Sequence, residues 1–404
     1  MRIAFITYEF PPDTGKGGIG TYVQQIAMAL AANGFDVHVF CASPFRTTAE
    51  NINGFKVHRV ECNGVADYTK KVLNSFTPEH ESSPFDLLES PEIGCNALEI
   101  KKKFPQLTLI IRLHAPNYLV ESLKRTYIPF LAKLRFVAGA FKRLRWDWGY
   151  WRKYKKEDDA DYQFIQLANY ITTPSEAMKM WVASYWQISP VKIAVIPNIF
   201  SPSNAWLQIP IKKELMNKRI VFFGRLNALK GLVNATKGMI RILQEFPDWQ
   251  FRVIGDDGMG PQADISMKAW MQNELRTVIN QVEWVDGMPY ESLPDAIAPS
   301  EIILLPSLFE SFSYTCAEAM AAGKAIVGSK NGGMADLLQN EISGLVIDPL
   351  KHRQIYTAIK KLIINKELRY QMSINARERI LNDFGAAKTV EQFIGYYRSS
   401  VRPK

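Results

Sequence analysis

Short apolar runs, many of them β-branched, alternate along this chain with longer stretches in which apolar positions recur every three or four residues. That alternation predicts βαβ units and parallel sheets. In the first half the strand-like runs are Arg2 to Thr7, Asp36 to Cys41, Phe55 to Arg59, Phe85 to Leu88, Leu107 to Leu113 and Tyr170 to Thr172. In the second they are Arg219 to Phe223, Gln250 to Ile254, Val282 to Val285, Ile302 to Leu305, Ala325 to Val327 and Leu345 to Ile347. The halves look alike, so two α/β domains are expected. Ile196-Pro197-Asn198 and the stretch from Phe200 to Pro210 carry turn residues and little periodicity, which places the domain boundary there. After Pro349 the spacing is helical to the end, through Ile355, Ile359, Leu362 and Ile363 and again through Val390, Phe393 and Tyr397.

A length of 404 residues exceeds one ordinary core, and 47% hydrophobic with 22% charged residues excludes wholesale disorder or a collagen-like repeat. The four cysteines, Cys41, Cys62, Cys95 and Cys316, are scattered with no CxxC pair, so a reducing compartment fits and no zinc site is expected. The apolar run Ile3 to Thr7 stops before Glu9 and Pro11-Pro12, too short for a secretory core, and reads as a first strand. No segment reaches the roughly 20 apolar residues of a spanning helix, and even Ile128 to Phe141 is broken by Lys133 and Arg135. A cytoplasmic or peripheral protein is the expectation. Its formal charge of +9 points to an anionic partner without saying whether nucleotide, polymer or membrane.

Three loops could carry chemistry. Gly15-Lys16-Gly17-Gly18-Ile19-Gly20 follows the first strand and opens a helix, where bare backbone N–H groups and the helix dipole favour a phosphate. The string satisfies GxGxxG, yet the intervening Glu9 to Thr14 and the absence of an acid after the second strand, which ends in Cys41-Ala42-Ser43, count against a dinucleotide site. Thr21 follows Gly20 where a Walker A loop would have Lys; a plain helix-capping turn is the other reading. Gly224-Arg225-Leu226-Asn227-Ala228-Leu229-Lys230-Gly231 leaves the first strand of the second half and brings two cations to one strand end, suited to a diphosphate, or else merely solvated. The third is Phe309-Glu310-Ser311-Phe312-Ser313-Tyr314-Thr315-Cys316-Ala317-Glu318, between the strand Ile302 to Leu305 and a helix. Glu310 can accept from neighbouring hydroxyls in the loop and Glu318 can do the same for a second diol, while the N–H groups of Phe312 to Thr315 at a helix start can cradle phosphate oxygens. Sugar, phosphate, ribose is the order of a nucleotide sugar.

With these residues in place the sequence resembles the retaining glycosyltransferases of family 4, which have the GT-B fold. The resemblance covers nearly the whole chain through Gly17-Gly18, His114, Ser175-Glu176, Pro197-Asn198, Arg225 with Lys230, and the E-x(7)-E pair Glu310 and Glu318. It implies two Rossmann-like domains facing a cleft: an acceptor domain over 1–200, a nucleotide-sugar donor domain over 201–385, and a C-terminal helix, 386–404, crossing back to the first. It also implies that Glu310 holds donor-sugar hydroxyls, Glu318 the ribose, Arg225 and Lys230 the diphosphate, and that the glycine loop closes on the donor. Ser311, Phe312, Ser313, Tyr314 and Thr315 would complete the donor site, although the family usually has Gly-Phe-Gly where this chain has Ser311-Phe312-Ser313. His114 would serve the donor sugar near the reacting carbon. The implied reaction moves a hexose from UDP-glucose or a related UDP-hexose to a glycan or lipid-linked sugar acceptor in polysaccharide biosynthesis. Configuration is retained and neither metal nor further cofactor is used, with attack on the leaving-group face and the departing phosphate stabilised by Arg225, Lys230 and the helix start.

Two features stand outside that set. Asp159-Ala160-Asp161 imitates a metal-binding DxD but sits in a charged run, Lys155 to Asp161, that reads as a solvated helix face. From Lys124 to Lys156, basic residues including Arg125, Lys133, Arg135, Lys142, Arg143 and Arg145 are interleaved with aromatics, Trp146, Trp148, Tyr150 and Trp151 among them. Such a stretch suits an anionic membrane surface on the inner face of the cell or a charged acceptor, or else a helix packing its aromatics onto the first domain; no nucleic-acid module accompanies the charge. Two rival functions remain, a nicotinamide-dependent sugar oxidoreductase working through Gly15 to Gly20 and a non-catalytic polyanion- or membrane-binding protein. Neither accounts for Glu310 with Glu318.

Overall fold

The computed structural model describes residues 1–15, 17–128, 130–145, 154–214, 217–262 and 264–401. They fall into two compact α/β units. The first comprises Met1–Tyr118, Lys155–Ser201 and the C-terminal segment from Phe384; the second comprises Pro202–Asp383 and the described part of Leu119–Tyr154.

The first unit is built on β1 (Arg2–Thr7), β2 (Asp36–Ser43), β3 (Thr48–Ile52), β4 (Phe55–Glu61), β5 (Leu87–Pro91), β6 (Thr108–Arg112), β7 (Tyr170–Thr173) and β8 (Ile193–Val195). Their order in the sheet is β3-β4-β2-β1-β5-β6-β7-β8, parallel except for the β3/β4 hairpin. The inner strands read as near-continuous apolar runs because helices cover both faces of such a sheet. β5 begins two residues later than the apolar run Phe85 to Leu88 and takes in Glu89, Ser90 and Pro91. Glu89 tolerates burial because the Tyr22 and Tyr397 hydroxyls donate to its two oxygens at 2.5 and 2.6 Å. Tyr397 belongs to the C-terminal helix Ala386–Val401, which buries Val390, Phe393 and Tyr397 in this unit's core. Each such side chain is worth about 1.5–3 kcal/mol of burial.

The second unit holds β9 (Arg219–Phe223), β10 (Gln250–Ile254), β11 (Val282–Val285), β12 (Ile302–Leu305), β13 (Ala325–Ser329) and β14 (Leu345–Ile347), all parallel, in the order β11-β10-β9-β12-β13-β14. The helix Leu232–Glu245 shows the helical period plainly: it buries Leu232, Val233, Met239, Ile242 and Leu243 and turns Lys237 and Arg241 to solvent. Its buried face meets the helix His352–Ile364, whose Ile355, Ile359 and Leu362 complete the core.

One segment departs from the expected division. The stretch beginning at Leu119, assigned by sequence to a first domain over 1–200, packs with the second unit: Tyr127 lies against that core, and Asn234 Nδ2 donates to its hydroxyl at 3.2 Å. The helix Phe130–Lys142 follows, exposing Phe130, Leu131, Leu134 and Phe141. The part from Trp146 to Lys153 lies outside the described residues. No helix among the described residues is long and apolar enough to cross a membrane.

Candidate active site

In the second sheet the chain order reverses between β9 and β12, and in open α/β sheets ligands bind outside the strand carboxyl ends at such a switch point. The loops leaving these two strands carry Arg225, Lys230 and Glu310. Asn227 caps the short turn Ala228–Lys230, its side chain accepting from Lys230 N at 3.1 Å. Gly231 then adopts a left-handed φ of 72°, and a Cβ there would lie 1.8 Å from the Pro306 carbonyl oxygen. Only glycine lets the β9 loop press so closely on the exit of β12. Leu308 N donates to Leu229 O at 2.8 Å across the same contact. Glu310 is fixed from its other side by Gly332, whose φ is 84° and whose Cβ would sit 2.0 Å from Glu310 O, and by Gly333 N donating to that oxygen at 2.7 Å. The outcome is an ion pair, Lys230 Nζ to Glu310 Oε1, at 2.5 Å with both side chains about a quarter exposed. Arg225 stands exposed on the same loop.

Beyond Glu310, Ser313 is buried and serves as N-cap of the helix Tyr314–Ala321, its Oγ accepting from Cys316 N at 3.3 Å and lying 3.1 Å from Thr315 Oγ1. A serine therefore does useful local work at this position. Phe312 is buried edge-on to Tyr314, and Ser311 is half-buried. Glu318, one turn further, is 7% exposed. Burial pushes its carboxyl up to about 8 against the opposing effects of the Tyr290 hydroxyl and Lys230. Tyr290 hydrogen-bonds Glu318 and accepts from the fully buried Trp206 Nε1 at 3.2 Å; burial, aided by the Glu318 charge, pushes its own phenol up to about 12. Tyr290 and Trp206 were absent from the sequence-based site, since each is a single aromatic outside any motif, Trp206 within the stretch Phe200 to Pro210 read only as the domain boundary. After β10 a cavity of about 460 Å³ opens, lined by Asp257, Gly258, Met259, Asp264, Ile265 and Ser266. A bridge between Leu226 and Asp257 joins its wall to the Arg225 loop.

The first unit carries the other sequence-derived residues. Gly17 is the N-cap of the helix Gly18–Ala32, and a Cβ on Gly17 would approach Glu9 Oε2 to 3.0 Å, whereas Gly18 faces open space. His114 follows β6 and is 6% exposed. Burial first, then the Arg112 charge, hold its imidazole down at about 3, so it is neutral across the working pH range. Its backbone N–H reaches both oxygens of Glu92 at 2.9 Å, and Ala115 N donates to Glu92 Oε1 at 2.8 Å. Glu92, fully buried, is pushed up to about 8 by desolvation and by Asp161. Sequence reasoning missed it, though an acid directly after a parallel strand was a usable signal.

Asp159 and Asp161 are committed to protein donors. Asp159 accepts from Asp161 N at 3.0 Å and from Trp186 Nε1 at 3.1 Å, and Asp161 accepts from Asn117 N at 2.8 Å. Among the described residues the ligand-type atoms of His38, His58 and Glu79 also lie within 4.8 Å of one another. Glu79 there is held by Arg2 at 3.1 Å and Lys56 at 3.3 Å, two positive charges that oppose a cation.

Comparison with known proteins identifies the family and the fold. Residues 16–203 match the family model Glycosyltransferase Family 4, and residues 207–379 match Glycosyl transferases group 1. The D-inositol 3-phosphate glycosyltransferase of Corynebacterium glutamicum is 24% identical over 99% of this chain and 97% of its own. Sucrose-phosphate synthase from Thermosynechococcus elongatus superposes with a TM-score of 0.73 at 17% identity, covering 98% of each chain. HepE of Anabaena, solved in complex with UDP, gives 0.69 at 16% identity, covering 99% of this chain and 100% of that one. With one model on each half and the same two-unit α/β architecture throughout, this chain belongs to the glycosyltransferases of family 4 and has the GT-B fold.

Proposed function

We propose that the chain transfers a hexosyl group, with retained configuration and without a metal ion, from a UDP-hexose, UDP-glucose first among them, to a glycan or lipid-linked sugar in polysaccharide biosynthesis. The observation that carries the reading is the Lys230–Glu310 pair at the switch point, with the buried Glu318 on the helix that follows. Arg225, Lys230 and the first N–H groups of the helix Tyr314–Ala321 take the diphosphate, with two cations in the role a metal would otherwise fill. Glu310 accepts from hexose hydroxyls and Glu318 from the ribose diol, whose donors favour its ionised form. The cavity after β10 takes the base. The UDP complex of HepE supports the choice of nucleotide.

In the chemical step the bond from the anomeric carbon to the β-phosphate oxygen breaks and one to the acceptor oxygen forms on the same face. The acceptor's proton passes to the departing phosphate oxygen, and Arg225 and Lys230 stabilise the charge left there. His114, neutral in its buried site, offers a hydrogen bond to a sugar hydroxyl instead of abstracting a proton. The helix Phe130–Lys142, with exposed Phe130, Leu131, Leu134 and Phe141 and the adjoining exposed Lys142, Arg143 and Arg145, suits peripheral docking on an anionic membrane.

The test is a calorimetric screen of nucleotide sugars followed by product analysis by NMR. UDP and a UDP-hexose should bind, and the product should keep the donor's anomeric configuration. Absence of UDP binding together with no turnover of any nucleotide sugar would overturn the reading.

A further inference from the structure

Asp159-Ala160-Asp161 directs its carboxylates to protein donors, and one of them meets the loop that carries His114. After β6 the chain runs through His114-Ala115-Pro116-Asn117 into the helix Asn117–Lys124. Proline has no backbone donor, so this loop offers three N–H groups, and carboxylates take all three. His114 N and Ala115 N donate to Glu92 at 2.8 to 2.9 Å, and Asn117 N donates to Asp161 Oδ2 at 2.8 Å. Asp161 Oδ1 also accepts from Asn117 Nδ2 at 3.3 Å. Neither acid belongs to the loop: Glu92 directly follows β5, and Asp161 lies in the first turn of the helix Ala160–Ile165. The turn after Glu92 and that helix pack together, Cys95 Sγ donating to Ala160 O at 3.5 Å.

Both acids are buried. Burial pushes the Asp161 carboxyl up to about 6, with Asp159 reinforcing it and the Asn117 N–H opposing, and Asp161 in turn bears on Glu92. Two buried acids are a costly way to satisfy three N–H groups that neutral carbonyls could satisfy. What carboxylates add is shorter and stronger charge-assisted bonds, and so a loop held more firmly in one place. Asp159 fixes Asp161 in its turn: it is the N-cap of the helix Ala160–Ile165, one oxygen accepting from Asp161 N at 3.0 Å and the other from the buried Trp186 Nε1 at 3.1 Å. The His114 ring is confined separately. It lies edge-on to Tyr22 with centroids 5.3 Å apart, and the Tyr22 hydroxyl is anchored on Glu89 at 2.5 Å.

We propose that Asp161 is a positioning residue of the transfer reaction: with Glu92 it clamps the loop from His114 to Asn117, so that the His114 imidazole is presented to the donor sugar in one geometry. The inference rests on the reading that His114 serves that sugar. Asp161 touches no substrate and acts through the loop alone, and the D-x-D string is then a device for holding His114, Asp159 setting the helix and Asp161 gripping Asn117. A loosened loop populates the productive geometry less often, which slows the chemical step. UDP, assigned to Arg225, Lys230 and Glu318, makes no demand on the clamp.

The experiment is a double-mutant cycle on the full chain with Asp161→Ala, His114→Ala and the two combined. It reads kcat for hydrolysis of UDP-glucose, or of the UDP-hexose that the nucleotide-sugar screen selects, beside UDP affinity by calorimetry. Asp161→Ala should lower kcat about tenfold while UDP affinity stays within about twofold of the wild type. Added to His114→Ala, which is already slow, Asp161→Ala should change kcat by less than about twofold, because the clamp works only through His114. Equal losses in both backgrounds, an unaltered kcat in Asp161→Ala, or a matching loss of UDP affinity would overturn the clamp and leave the His114 reading standing. A wild-type kcat in His114→Ala would instead remove that reading, and the clamp with it. Should Asp161→Ala fail to fold, Asp161→Asn keeps the volume and one acceptor oxygen for Asn117 N, and carries the same cycle with a smaller expected loss.

Discussion

Glu310 and Glu318 are eight residues apart, yet their surroundings demand opposite responses to substitution. Glu310 is paired with Lys230 at 2.5 Å and partly solvated. In Glu310→Ala, Lys230 loses its carboxylate and is released toward the diphosphate, so UDP should bind as well as before or better. A UDP-hexose, in contrast, should lose its sugar contacts, on the order of 1 to 3 kcal/mol or roughly 5- to 150-fold. Glu318 is buried against Tyr290, with a carboxyl at about 8. Glu318→Gln keeps the volume and the Tyr290–Trp206 packing but replaces a two-oxygen acceptor by one oxygen and an amide. UDP and UDP-hexose should then weaken together by a similar factor, because both contain the ribose. A stability control separates binding from folding. The folded carboxyl lies above its unfolded value near 4.5, so its contribution is fully present below pH 4.5 and is lost as pH rises through 8, where ionising it in place costs on the order of 5 kcal/mol. Glu318→Gln should lack that decline, and urea unfolding between pH 5 and 9 would show the difference. Calorimetry giving equal losses for UDP and UDP-hexose in both variants would refute the division of labour.

Donor turnover should persist in EDTA if Arg225 and Lys230 supply the counter-charge as proposed; complete loss restored by manganese would send the assignment back to a metal. Glu92→Ala removes the acceptor of the His114 and Ala115 N–H groups, and should lower kcat at least about tenfold with UDP affinity unchanged, measured by steady-state kinetics beside calorimetry; a change confined to thermal stability would make Glu92 purely structural. Replacing Lys142, Arg143 and Arg145 with Ser should reduce co-sedimentation with anionic liposomes at low salt while donor hydrolysis is retained, at about 1 kcal/mol per cation near the surface. Wild-type protein staying in the supernatant would instead favour a soluble acceptor.

Strands buried on both faces wrote themselves into the sequence most clearly. Ile302-Ile303-Leu304-Leu305 is apolar at every position because nothing polar can sit there, and β12 occupies that run. Edge elements were hidden for the complementary reason. β3, Thr48–Ile52, is mostly exposed and polar, and β8, Ile193–Val195, is apolar but only three residues long, so neither gives a run that reads as a strand. β5 was displaced by Glu89, whose charge reads as loop until the Tyr22 and Tyr397 hydroxyls are known to meet it. The attachment of Tyr127 to the second unit was equally illegible, since one hydroxyl and Asn234, 107 residues away, decide it.

The site divides along the same line. Whatever lies within one loop was visible: the spacing of Glu310 and Glu318, the cations of the β9 loop, the glycines. What turns these residues into a working arrangement is contact between loops that sequence does not juxtapose. Gly231 has meaning only against Pro306 O, and Gly332 only against Glu310 O, because each is glycine to admit another backbone at a distance no Cβ allows. Glu318 likewise owes its raised pKa to burial beside Tyr290 and Trp206, residues 28 and 112 positions away. Motif residues therefore name the groups proposed to touch substrate, while their surroundings are set by neighbours with no motif at all. That is why substitutions at Tyr290 or Gly332 should disturb donor binding as surely as those at Glu318 or Glu310.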